Sequence, residues 1–167
     1  MKKIKLLQLQ KYKGKYKIIV NKISSHKGKC GVWAMYGDNN QLLEVAQTSD
    51  IFAELDYDLS YLTLDYSSKE LKRNKLYTAR RLFDFNKKFD VLECDKNRTT
   101  AKYRDIAEST ESIVVYLITE ERAKSEDKAV REEIELEIAI DNRALYWNAF
   151  GNQRKLAREY YNKATCV

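Results

Sequence analysis

The sequence predicts one α/β domain, a small and mostly antiparallel central sheet flanked by helices. Three observations predict it. Residues 30–55, CGVWAMYGDNNQLLEVAQTSDIFAEL, read as two short strands, a turn and a capped helix. Residues 112–118, SIVVYLI, form a β-branched apolar run with polar neighbours, the pattern of a buried strand. The chain has 167 residues, 44% hydrophobic and 34% charged, enough for one globular core and too apolar for a disordered chain.

Each element has its own signal. Residues 1–10 read as an extra strand or a loose basic arm. Lys15–Ile23, KYKIIVNKI, is rich in β-branched and aromatic residues and reads as a strand, and 24–29 as a loop. Gly31 opens the next strand, and Gly37-Asp38-Asn39-Asn40 is a turn, because Gly and Asn accept positive φ. Leu42–Val45 is the return strand. Ser49 or Asp50 caps a helix from about Ile51, with Ile51, Phe52, Leu55 and Leu59 on its apolar side. Residues 67–70 begin another helix, 75–93 read as two strands turning near Asn86, and 97–108 as a short helix. After SIVVYLI a long helix is expected from about Glu120 to Asn142, and a last one over about 152–163. Residues 1–29 are a basic N-terminal extension, and 60–110 elaborate the core.

Composition narrows the class. Cys30, Cys94 and Cys166 are odd in number and widely spaced, which fits reduced thiols better than a disulfide frame or a zinc site. His26 is the only histidine, so no multi-histidine metal site exists. No apolar run is long enough to span a bilayer, and no apolar signal core follows the basic start, so no membrane partner is expected and a cytoplasmic location is. The formal charge is +6, and every charged residue before Asp38 is a lysine apart from the single histidine. Such a concentration suits nucleic-acid phosphates.

The residues 30–55 resemble the GIY-YIG nuclease superfamily. Gly31-Val32-Trp33 matches the first tripeptide, and Glu44-Val45-Ala46 the second after ten intervening residues. The resemblance returns near 112–148, where SIVVYLI and the following helix match the third strand and its helix. It implies a three-stranded core and phosphodiester hydrolysis with one divalent metal, Mg2+ or Mn2+ in an active member. Attack on phosphate needs a placed water, a cation and a metal.

Carried over by position, Trp33 replaces the first motif tyrosine, Glu44 the second, and Glu54 the phosphate-binding arginine. An indole donates a hydrogen bond but is no base, and Glu54 reverses the charge where phosphate would approach. Tyr36 does not substitute for Trp33, since side chains alternate along a strand. Glu137 is the candidate metal ligand, alone or with Glu44, and Asn148 matches the family asparagine.

The expectation is therefore a GIY-YIG-like protein that binds DNA or RNA without efficient cleavage and needs no cofactor. The expected contacts are Lys11, Lys13, Lys15, Lys27, Lys29, Arg80 and Arg81. Two alternatives stand beside it. One is a metal-dependent endonuclease with a rearranged site. The other is a module that binds a protein partner, such as an inhibitor of a nucleic-acid-handling complex.

Overall fold

A computed structural model describes residues 1–65, 98–147 and 153–165. Five strands form one sheet: β1 (Lys3–Tyr12), β2 (Lys15–Asn21), β3 (Gly31–Tyr36), β4 (Leu42–Thr48) and β5 (Ser112–Ile118). Their order is β2-β1-β5-β3-β4, antiparallel throughout. Four helices accompany them among the described residues: α1 (Ile51–Leu62), α2 (Arg98–Ser109), α3 (Lys128–Asp141) and α4 (Gln153–Thr165). The predicted α/β class is thus observed, and residues 3–12 form a strand rather than a loose arm. The elements expected over 67–93 lie outside the described residues.

The turns follow from backbone chemistry. β1 and β2 are joined by Lys13 and Gly14 with φ of 51° and 78°, two positive values in succession, as a tight hairpin requires. Asn39 and Asn40 also take positive φ in the β3–β4 turn. Asp38 in that turn accepts the backbone N–H groups of Glu111 and Ser112 at 2.8 and 2.9 Å, which ties the start of β5 to the hairpin. Asp50 caps α1 by accepting the Ala53 N–H at 3.1 Å.

The third helix begins at Lys128, later than the expected start near Glu120. Residues 121–124 form a short 3-10 turn before it. Ser125 Oγ accepts the Asp127 N–H, and Asp127 accepts the Ala129 N–H. Two consecutive local side-chain acceptors hold the backbone outside the helix until residue 128.

The sheet buries both faces. On the first, Leu7, Leu9, Trp33, Met35, Ile113 and Val115 pack with Leu55 and Leu62 of α1 and Tyr103 and Ile106 of α2. On the second, Val32, Ala34, Val45 and Ile118 pack with Ile134, Ile138 and Ala139 of α3, Trp147, and Ala157 of α4. Bulges at Leu6, Ile19 and Leu43 shift the registers and reset the alternation of side chains. A Cβ on Gly31 would come within 2.8 Å of the Ile51 methyl, so glycine lets α1 lie close to β3.

The β4 edge is closed. The chain after α3 runs beside it, with Leu145 N–H donating to Leu42 O at 3.2 Å and Tyr146 N–H to Leu43 O at 2.8 Å. Further along, Glu135 of α3 accepts the Gln47 N–H at 3.2 Å and the Trp147 indole N–H at 2.8 Å. The outer edge of β2 pairs with no described residue.

Candidate functional site

Three residues singled out by spacing meet on the first face. Trp33 Nε1 donates to Glu54 Oε1 at 3.1 Å, from β3 to α1. Glu44 reaches inward from β4 and pairs with Lys102 of α2, and Tyr103 Oη donates to its other oxygen at 3.2 Å. Asp58, one turn beyond Glu54 on α1, is buried in the same cluster and bonds with Tyr103. Lys102, Tyr103 and Asp58 were not anticipated. Only the burial of a carboxylate one turn from Glu54 on an otherwise amphipathic helix could have flagged Asp58.

The cluster holds three carboxyl groups and one ammonium, so full ionisation would leave two uncompensated negative charges in a poor solvent. Burial pushes Glu54 up from the ordinary carboxylate range. Asp58 is pushed up to about 7, first by burial and then by the charge of Glu44. The Tyr103 hydroxyl donates to Glu44 and is also within hydrogen-bond reach of Asp58, while burial and the charge of Glu44 favour the neutral form of Asp58. Asp58, Tyr103, Glu44 and Lys102 form one connected cluster.

Glu137 is elsewhere. It lies on α3, over the second face, where Arg122 Nη1 and Nη2 donate to its two oxygens at 3.2 and 2.6 Å. Glu44 and Glu137 are thus not brought together, which corrects the expectation of a shared cation. The donor set does not fit a divalent ion either, because Glu137 is clamped by a guanidinium and Glu44 by an ammonium. Among the described residues no group of three Asp, Glu, His or Cys side chains is placed to hold a metal. Asn148, Arg80 and Arg81 lie outside the described residues.

The expected basic residues do not form one patch. Lys11 lies on the first face, 5.4 Å from the Tyr16 ring centroid. Lys13 stands at the hairpin tip and Lys15 starts β2. Lys27, 5.5 Å over the Phe52 ring, and Lys29 lie at the opposite end of the sheet, near the start of β3. A strand of β1's length separates the two groups by ~30 Å.

The register shows a different basic surface. Cross-strand partners share a face, so the pairs Lys5–Tyr116, Gln8–Val114, Gln10–Lys17 and Tyr12–Lys15 all belong to the second face. The helix α3 packs over β3 and β4 on that side. Over β1 and β2 the side chains of Lys3, Lys5, Tyr12, Lys15 and Lys17 are exposed. Lys3 Nζ lies 4.4 Å from the ring centroids of both Tyr36 and Tyr116, and Lys17 Nζ lies 4.6 Å from Tyr12. This half of the sheet presents a basic surface with aromatic rings set into it.

No helix of the described residues is long and apolar enough to cross a membrane. No family model, curated protein or solved structure matches the chain.

Proposed function

We propose that the chain is a GIY-YIG-like nucleic-acid-binding protein of the cytoplasm, without efficient nuclease activity, and that the open half of the second face is its binding surface. The observation that carries this reading is the set of exposed lysines Lys3, Lys5, Lys15 and Lys17 on one face, with Tyr12 beside Lys15 and Lys17 and the half-buried Tyr116 beside Lys3 and Lys5. Ammonium groups on a sheet neutralise phosphates, and tyrosine rings accept unpaired bases by stacking. The lack of cleavage is supported by the positions of Trp33, Glu44 and Glu54, which are occupied with one another and with α2. Binding of this kind needs no cofactor.

The test is binding of labelled single-stranded DNA and RNA across a salt series, with magnesium, manganese or chelator. Affinity should fall steeply with salt. The triple charge reversal Lys5→Glu/Lys15→Glu/Lys17→Glu should weaken it by at least about tenfold and reduce the salt slope by about 2. All three side chains are exposed, so folding should survive. Salt-insensitive binding, or binding indifferent to the triple variant, would refute the surface. Cutting that depends on Mg2+ or Mn2+ and is lost in Glu137→Ala would establish the metal-dependent endonuclease instead.

A second reading has one observation in its favour. Ile18 and Ile19 of the edge strand β2 are 46% and 57% exposed. Exposed apolar residues on a strand with an open outer edge suit a protein partner that adds a strand. A stoichiometric partner bound without nucleic acid, and lost in Ile19→Lys, would favour this reading.

A further inference from the structure

A groove of about 590 Å3 opens at the other end of the sheet, between the start of β3, the end of β5, the 121–124 turn and α3. Its charged lining is mainly positive: Lys29, Lys124 and Arg131, with Glu126 the sole carboxylate and His26 at the side. Its walls include Ile51, Leu117 and Ile118.

Arg131 distinguishes this groove from an ordinary basic surface. The residue is only 4% exposed. Its Nε donates to Gln47 Oε1 at 3.2 Å and its Nη1 to Ser125 O at 2.7 Å, both neutral acceptors. Among the described residues no carboxylate lies within ion-pair distance of it. A guanidinium has five N–H donors, so most of its capacity is unused. Burying a cation without an anion costs several kcal/mol, unless a counter-charge arrives from outside. The Cys30 thiol donates to the same Ser125 carbonyl at 3.5 Å, which places it beside the guanidinium in the groove.

We propose that this groove binds a phosphate group carried on a nucleoside-sized body, with Arg131 as the buried anion partner and Lys29 and Lys124 at the rim. The planar guanidinium offers paired donors to phosphate oxygens. The apolar walls and the volume accommodate more than a bare ion. The phosphate belongs either to a free nucleotide or to the end of a strand. The site shares no residue with the sheet surface, so it stands or falls separately from the reading above.

His26 is the only histidine of the chain, so its imidazole gives one unambiguous NMR signal from the groove. Burial and the neighbouring Lys29 lower its pKa. Lys124, Arg131 and Glu126 are the other charged groups lining the groove. A bound phosphate should raise that pKa and shift the resonance. The probes are inorganic phosphate, AMP, adenosine, and one oligonucleotide with and without a 5′-phosphate. Phosphate and AMP should shift His26 and adenosine should not. A shift from AMP marks a free nucleotide as a ligand, and a shift from only the 5′-phosphorylated oligonucleotide marks a strand end.

Arg131→Gln should weaken binding by about a hundredfold and Lys29→Ala/Lys124→Ala by about tenfold. The second variant lies on exposed side chains and decides the matter if the first does not fold. Absence of any phosphate-dependent shift at millimolar concentration would overturn the site. So would a shift unchanged in the lysine double variant. Loss of sheet-face binding in the Lys5/Lys15/Lys17 variant, with the His26 response intact, separates the two surfaces.

Discussion

Lys13 holds a left-handed backbone that its side chain does not favour, with φ of 51°. The cost is about 1 kcal/mol. Lys13→Asn should therefore raise stability by about 0.5–1 kcal/mol in a denaturant melt. If the tip touches phosphate, the same change should lower the salt slope of nucleic-acid binding by about 0.7. Asp58 shows the converse, a strained charge rather than a strained backbone. Its carboxyl lies at about 7 in the fold, against 3.8 when free. The folded state therefore holds the proton more tightly. The contribution of Asp58 to stability is complete below about pH 4 and is lost as pH rises through about 7. Asp58→Asn keeps a polar amide beside Tyr103 without the charge. Its advantage over the natural chain should grow between pH 4 and 8, reaching up to about 4 kcal/mol, read from melts at several pH values. A difference that does not change with pH would mean that Asp58 is ionised in the fold.

At the scale of elements, one carboxylate, Glu135, ties α3 both to β4 and to the chain that follows α3. Glu135 accepts an N–H at each oxygen, one from the strand edge and one from Trp147, while burial pushes it up to about 8. Its contribution is complete below about pH 4.5 and lost as pH rises through about 8, the same direction as Asp58. Glu135→Ala removes an acceptor from the buried Trp147 indole N–H and from the half-buried Gln47 N–H and should cost about 2–4 kcal/mol. Hydrogen exchange at the Gln47 amide and the Trp147 indole should rise more than elsewhere in β4. The sequence made the β3–β4 hairpin and α1 legible, because Gly37–Asn40 and Asp50 act on their immediate neighbours. It did not show the start of α3, where Ser125 and Asp127 hold the backbone out of the helix expected to begin near Glu120. Nor did it show which face the lysines take. Lys3, Lys5, Leu7 and Leu9 have the same parity in the chain, yet the bulge at Leu6 turns the lysines to the second face and the leucines to the first.

For the whole molecule, long-range pairing explains what remained illegible in the site. The convergence of Trp33, Glu44 and Glu54 is foreseen by motif spacing. Lys102, which sets the charge of their cluster, lies 58 positions from Glu44. Arg131 was hidden for a related reason: its helix reads as amphipathic, and only the fold shows that no carboxylate among the described residues pairs with it. The two sides of the sheet also differ in a way that fixes how the molecule can grow. At β4 the residues 145–146 and Glu135 occupy the hydrogen-bonding positions that an added strand would need. At β2 among the described residues those positions are vacant, but Lys15, Lys17 and Lys22 line them. The two described edges of the sheet thus differ, one blocked by the chain's own residues and the other bordered by positive charge.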